Sequence, residues 1–292
     1  MNIGIILPAR RKQESRLIQK ICRAMGSLVF ATVQIETRKV ELFEGLTLVV
    51  CSIPVFDGEI PVNEGAGKKI KSKLARIFEE ENTLMVLEHP SLKGFFNSQH
   101  YSFEDILREV AVNRFTEILK LIRGIGNLSS REITVTGRPD HLEYAIARLI
   151  TRAGSMNILL PEGSENPHEA EQAFAETGIP VHLTTDPEVL GRTALWLRFP
   201  DDYAGFDALP QNFKGIIVDF GAMQIIDTKS KKIFNIFIEF SEKIRRKIGH
   251  SILHGCESGD LEGSVLSLCA NAWDIGVTEA SVRLDMRPSY KS

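Results

Sequence analysis

The second half of the chain repeats a pattern that few folds accept: a short β-rich run, a helical stripe, then another short β-rich run. Ile133, Thr134, Val135, Thr136 and Gly137 form the first run, which ends in glycine. Leu142, Ala145, Ile146, Leu149 and Ile150 follow at helical spacing. Residues 156–160 are the next apolar run, closed by Pro161, and a helix near 168–177 with a strand over 179–183 repeats the unit. A short helix opens at Pro187, and residues 194–199 and 215–221 supply two more strands. Strands covered on both faces read as continuous apolar runs, and helical crossovers between them demand parallel pairing. The pattern predicts a mostly parallel, doubly wound sheet.

The first half alternates strand and helix less regularly. Residues 3–7 read as a strand ended by Pro8, residues 11–25 as a helix, and 28–35 and 46–53 as β-rich runs. Residues 57–67 form a glycine-rich, acidic loop. A helix over 68–81 carries Ile70, Leu74, Ile77 and Phe78 on one face, and residues 83–87 form another strand. These elements predict an α/β layer of four strands. Apolar positions from Phe103 to Ile122 support one helix of about 20 residues, capped by Ser102 and stopped at Gly124 and Gly126. The predicted organisation is an N-terminal α/β domain over 1–102, a connecting helix over 103–127, and a Rossmann-like domain with a C-terminal extension over 128–292. In that extension residues 233–240 read as strand or helix start, 261–272 as a helix with Asp260 as cap, and 281–292 as an extended edge or loose end.

With 43% apolar and 25% charged residues and a formal net charge of -3, the chain has a globular profile. It has no general attraction to nucleic acid or to an anionic membrane. Arg245, Arg246 and Lys247 form a local basic run, read as a solvated helix face. No apolar run reaches membrane-spanning length, and no basic segment precedes a signal-peptide core, so a cytoplasmic location is expected. Cys22, Cys51, Cys256 and Cys269 contain no CxxC pair and support neither a zinc ribbon nor a thioredoxin motif. Cys22 and Cys51 read as core residues; Cys256, beside His254 and Glu257, stands in the most polar context. No histidine pair has HExxH spacing, and no metal is predicted. His250 and His254 lie four apart, but Gly249 and Gly255 argue against a stable helix there.

The candidate ligand site is the turn of Gly137, Arg138, Pro139, Asp140 and His141. It lies where a Rossmann fold places its phosphate loop, between first strand and first helix. Only the first glycine of the usual fingerprint is present, Pro139 suits the first helical turn, and Arg138 supplies positive charge. Glu162, just after the second strand and 25 residues beyond Gly137, suits hydrogen bonding to an adenosine ribose and favours NAD over NADP. Further candidates lie at the carboxyl ends of later strands: Arg198, Asp219 and Gly221. Arg198 stands inside an apolar run and needs an anionic ligand or a partner such as Asp201 or Asp219. His89 with Asp57, and Lys68 with Lys69, are secondary candidates.

Val135, Thr136, Gly137 and Arg138, the run over 194–200, and the run over 215–221 resemble the nucleotide-binding half of one enzyme group. That group comprises shikimate dehydrogenase, glutamyl-tRNA reductase and methylene-tetrahydrofolate dehydrogenase. The resemblance covers roughly residues 103–240. It implies an N-terminal α/β catalytic domain, a connecting helix and a C-terminal domain binding NAD or NADP. It places Gly137 and Arg138 near the cofactor phosphates and Gly221 near the nicotinamide. The catalytic Lys and Asp arrangement of shikimate dehydrogenases and the nucleophilic cysteine of the reductases have no match.

Three function classes follow. The first is a Rossmann-like small-molecule-binding or regulatory protein whose phosphate loop is remodelled by Arg138 or His141. The second is an NAD(P)-dependent oxidoreductase acting on a small metabolite in the interdomain cleft, with Gly137 and Glu162 on one wall. Other chemistry in that cleft, a transferase or lyase, is a third. A two-fold homodimer is the default assembly.

Overall fold

The computed structural model describes residues 1–9, 35–53, 64–96, 103–164, 167–200, 213–221 and 230–291. The helix expected over 11–25, nearly all of the strand expected over 28–35, Asp57 and Asp201 lie outside them. The chain forms two compact α/β units: Met1–Ile106 with Glu239–Arg287, and Leu107–Ile238 with Pro288–Ser292.

In the first unit β1 (Asn2–Pro8) pairs in parallel with β3 (Leu46–Ile53) and with β4 (Thr83–Glu88), and β2 (Glu36–Phe43) adds to β3 antiparallel. The order is β2-β3-β1-β4. Ile3, Ile5 and Ile6 are fully buried, as expected of a central strand covered on both faces. The edge strand β2 is the opposite, with Glu36, Thr37, Arg38 and Lys39 exposed; charge on an edge discourages further pairing. Helix α1 (Glu64–Glu80) begins four residues earlier than its apolar stripe announces, inside the glycine-rich segment. Ile70, Leu74 and Phe78 pack with Val49, Cys51, Ile53, Leu92 and Phe95 in one core.

Helix α2 (Glu104–Asn113) and helix α3 (Phe115–Leu121) replace the single helix expected over 103–122. The break is at Arg114, whose φ of -109° and ψ of 19° leave the helical region. Its guanidinium is buried and bonds Glu117 through Nε at 2.9 Å and Nη2 at 2.7 Å. That fork holds the Glu117 carboxyl below the usual range.

The second unit carries β5 (Glu132–Thr136), α4 (Pro139–Leu149), β6 (Ser155–Leu159), α5 (His168–Thr177), β7 (Val181–Thr184), β8 (Leu195–Arg198) and β9 (Ile216–Asp219). With β10 (Lys231–Phe240) and β11 (Met286–Lys291) they make a seven-stranded sheet, β11-β10-β9-β8-β5-β6-β7. Every pairing from β7 through β10 is parallel. This is the doubly wound order of a Rossmann-like sheet, and it reverses direction between β5 and β8. Trp196 is fully buried with Leu159, Leu190, Phe213 and Ile217, and its indole N–H is satisfied by Thr136 Oγ1 at 3.1 Å.

The segment over 239–287 folds with the first unit rather than extending the second. It holds α6 (Glu242–Ile248), α7 (His250–Leu253), α8 (Asp260–Trp273) and α9 (Val277–Arg283). Lys247 Nζ donates to the Leu42 carbonyl at 3.0 Å, tying α6 to β2. The basic run is a solvated face, as expected, with Arg246 paired to Glu242 and Arg245 to Glu239. Two local expectations are corrected. Gly259 caps α8 and Asp260 is its first residue. Despite its flanking glycines, α7 does form a turn, which brings the exposed His250 and His254 rings to 3.9 Å between centroids. Residues 286–291 form the edge strand that was one of two alternatives for the tail. Among the described residues no helix is long and apolar enough to cross a membrane.

Glu262 on α8 supplies a pH test. Burial raises its carboxyl above the ordinary value, Glu239 and Asp260 add to the rise, and Arg245 opposes it. A raised folded-state value means that stability is complete below the ordinary carboxylate range and is lost as pH rises through the folded value. Glu262→Gln is therefore expected to gain stability relative to the native chain progressively as pH rises from 4 to 8. Urea unfolding across that range reads the difference.

Candidate functional site

In a doubly wound sheet the ligand crevice lies beyond the carboxyl ends of the strands, where the strand order reverses. Here that point lies between β5 and β8, bounded by Gly137 and by Phe199 and Pro200. Gly137 has a φ of +153°, and a Cβ there would stand 2.7 Å from Phe199 Cβ. Only glycine suits this turn, both for its backbone and for the approach of Phe199. The Phe199 ring stacks on Phe220 at 5.1 Å and meets Phe115 edge-on at 5.4 Å.

The structure brings Arg138, Asp140 and His141 together at the start of α4. Arg138 Nη2 lies 3.4 Å from Asp140 Oδ2 and 3.3 Å from His141 Nε2. His141 Nδ1 lies 3.3 Å from the Pro200 carbonyl. Burial lowers the pKa of His141, only partly offset by Asp140. The ring is thus neutral at pH 7, its Nδ1–H donates to Pro200, and its bare Nε2 accepts from Arg138. One arginine is fixed by a carboxylate on one side and a neutral imidazole on the other, and remains half exposed.

This turn does not build a pyrophosphate cradle. A Rossmann loop needs backbone amides free to point at the anion and a second glycine to admit it. Pro139 occupies that second position and has no N–H. The Arg138 amide donates to the Pro200 carbonyl at 3.4 Å, and Phe199 fills the space over Gly137. Glu162 stands exposed in the turn after β6, at the carboxyl edge, and makes no hydrogen bond or ion pair with Arg138.

Arg198 lies elsewhere along the same edge, with a partner rather than a free face. Its Nη1 is 3.6 Å from Asp219 Oδ2, and Lys232 Nζ reaches the same oxygen at 3.6 Å. Arg198 and Asp219 are buried, and Lys232 nearly so. Burial raises the Asp219 carboxyl while Arg198, the Gly221 amide and Lys232 lower it. Gly221 N donates to Asp219 Oδ1 at 2.9 Å, so that amide serves the aspartate. Local pattern does not mark Lys232, which lies on the polar opening of β10; only its parallel register beside β9 discloses it.

The remaining described candidates belong to the first unit. His89 bonds Ser91 Oγ at 2.8 Å and caps a short turn. Lys68 and Lys69 lie exposed on α1. Cys256 is buried, and its thiol is pushed up to about 12 by burial, Glu262 and Asp260. It lacks the accessible low-pKa environment of a nucleophile. Among the described residues no three His, Cys, Asp or Glu side chains are grouped to hold a metal ion.

No protein-family model and no curated protein matches the sequence. Solved structures that resemble it include D-lactate dehydrogenase with NAD+ from Lactobacillus jensenii, at 10% identity over 78% of this chain and 73% of that one, TM-score 0.28. L-tryptophan dehydrogenase from Nostoc punctiforme aligns at 12% identity over 97% and 86%, TM-score 0.27. Ornithine carbamoyltransferase from Gloeobacter violaceus aligns at 10% over 79% and 75%, TM-score 0.27. At such scores the likeness does not bear on what this chain binds.

Two substitutions test the site as built. Gly137→Val places a branched side chain at a positive φ and against Phe199, and is expected to cost about 2–5 kcal/mol in urea unfolding. Asp219→Asn removes a carboxylate shared by two nearly buried cations and is expected to cost about 3–5 kcal/mol by the same measurement. A loss under 1 kcal/mol in either would contradict the geometry.

Proposed function

We propose that this chain is a Rossmann-like small-molecule-binding or regulatory protein, with its ligand at the carboxyl edge of the seven-stranded sheet, between β5 and β8. The observation that carries this reading is the Arg138 guanidinium, set at the strand-order reversal between Asp140 and the neutral His141. A guanidinium so held pairs well with a carboxylate or phosphate of a small ligand. The occupied pyrophosphate position, with Pro139, Phe199 and the tied Arg138 amide, favours a ligand other than a conventionally bound dinucleotide.

A second reading, an NAD(P)-dependent oxidoreductase acting on a small metabolite, is favoured by the strand order itself. The resemblance to the shikimate dehydrogenase group also supports it, with Glu162 at the position of a ribose-binding carboxylate. It requires the β5–α4 turn to open, since the residues present leave no cradle for the pyrophosphate.

Calorimetric titration with NAD(H) and NADP(H) separates the two, using Arg138→Ala and Glu162→Ala. Gly137→Val is unsuitable because it attacks folding. No heat at millimolar cofactor is the expected result. Micromolar NAD binding, weakened in both variants, would replace the first reading with the second.

A further inference from the structure

We propose that the amino end of the same sheet holds a separate site for a phosphate group. A cavity of about 310 Å3 opens there, beneath the starts of β8 and β9. Its lining includes Arg131, Arg192 and Lys214, with Thr193, Gly191 and Gly215 between them. The volume is at the lower end of those that take small molecules, and the three cations give it one sign of charge.

The arrangement is built from buried polar groups rather than from surface side chains alone. Glu132 Oε1 accepts from Arg192 Nε at 2.7 Å and from Asn157 Nδ2 at 2.8 Å. Asn157 is 3% exposed and also reaches Thr134 Oγ1 at 3.3 Å. Thr134 in turn meets Thr193 Oγ1 at 2.6 Å, and Thr193 donates to the Val189 carbonyl at 3.0 Å. Polar residues inside a parallel sheet cost stability unless each is satisfied; here their satisfaction fixes the position of one arginine. Among the described residues Arg192 engages Glu132 through Nε, which leaves its two terminal nitrogens as a donor fork.

Charge completes the case. Glu132 is the one carboxylate paired with this group, and neither Arg131 nor Lys214 makes an ion pair among the described residues. The backbone is drawn close as well. A Cβ at Gly215 would stand 2.5 Å from the Thr193 carbonyl oxygen, so the entrance of β9 packs directly on the backbone entering β8, and both line the cavity. A phosphate matches the guanidinium fork and a neighbouring ammonium better than a neutral ligand does. The site is one strand length, roughly 10–13 Å, from the carboxyl edge, so it stands or falls independently of the ligand proposed there.

The test is thermal unfolding of the full chain against inorganic phosphate, with chloride holding ionic strength constant, because screening alone alters exposed cations. A saturable rise in Tm is expected. Arg192→Gln, and Arg131→Gln combined with Lys214→Gln, are each expected to weaken phosphate binding about tenfold or more. The changed side chains are solvent-exposed, so folding is retained, and far-ultraviolet circular dichroism verifies it. Arg246→Gln, on the solvated face of α6 and outside both proposed sites, is expected to leave the phosphate response unchanged. Ribose 5-phosphate in a parallel arm separates sources: tighter binding than inorganic phosphate assigns the site to a phosphorylated metabolite, equal or weaker binding to free phosphate. The proposal is overturned if Tm does not respond beyond the chloride control, if the amino-end variants respond like the native chain, or if only Arg138→Ala abolishes the effect.

Discussion

The contact between Phe199 and the bare α-carbon of Gly137 governs the carboxyl edge of the sheet in the second unit. With no Cβ at Gly137, the end of β8 closes on the end of β5 at the reversal of strand order. Pro200 is thereby brought within reach of both the Arg138 amide and the His141 ring. The same aromatic side chain stacks on Phe220, so the closed turn is braced from β9 as well. A glycine that in a dinucleotide-binding loop makes room for a ligand makes room here for a phenylalanine. The residue type is retained while the space it creates is spent internally.

Much of the fold was legible because parallel strands covered on both faces announce themselves as apolar runs. The expected strands at 133–137, 156–160, 194–199 and 215–221 correspond to β5, β6, β8 and β9. One edge strand does not announce itself. β2 opens with Glu36, Thr37, Arg38 and Lys39, all exposed, and no alternation reveals it. The break at Arg114 is equally hidden, because the apolar stripe passes through it unbroken. The packing of residues 239–287 with the first unit depends on long-range contacts such as Lys247 with the Leu42 carbonyl, which local pattern does not encode.

The candidate site was legible in part. Arg138, Asp140 and His141 meet because they open one helix, and spacing alone discloses that. The partnership of Arg198 with Asp219 was among the alternatives because both end apolar strands. Lys232 was not, since its relation to Asp219 arises from β10 lying parallel beside β9. Gly221 was assigned to a ligand on the strength of its position, whereas its amide is engaged by a side chain two residues back. Strand-end position identifies which residues stand at an edge; hydrogen bonds decide which of their groups remain available to a ligand.

The two ends of the sheet show opposite ways of using polar groups. At the carboxyl edge the charges of Arg198, Asp219 and Lys232 are gathered in a buried cluster, where desolvation opposes ionisation of the carboxyl and two cations oppose the desolvation. Such a cluster gains little net stability, but it constrains the ends of β8 and β9 relative to the start of β10. At the amino end the buried members are Thr134, Asn157 and Thr193, which are neutral and satisfied, and the charges stand outside them at the cavity. Glu132 pairs there with Arg192 and with neither Arg131 nor Lys214 among the described residues, so the cations at the cavity outnumber the carboxylate and leave electrostatic attraction available to a ligand. A buried frame of opposite charges largely consumes it. The amino end is therefore the better placed of the two to attract an anion, and the carboxyl edge depends on Arg138, the half-exposed cation beside the reversal of strand order.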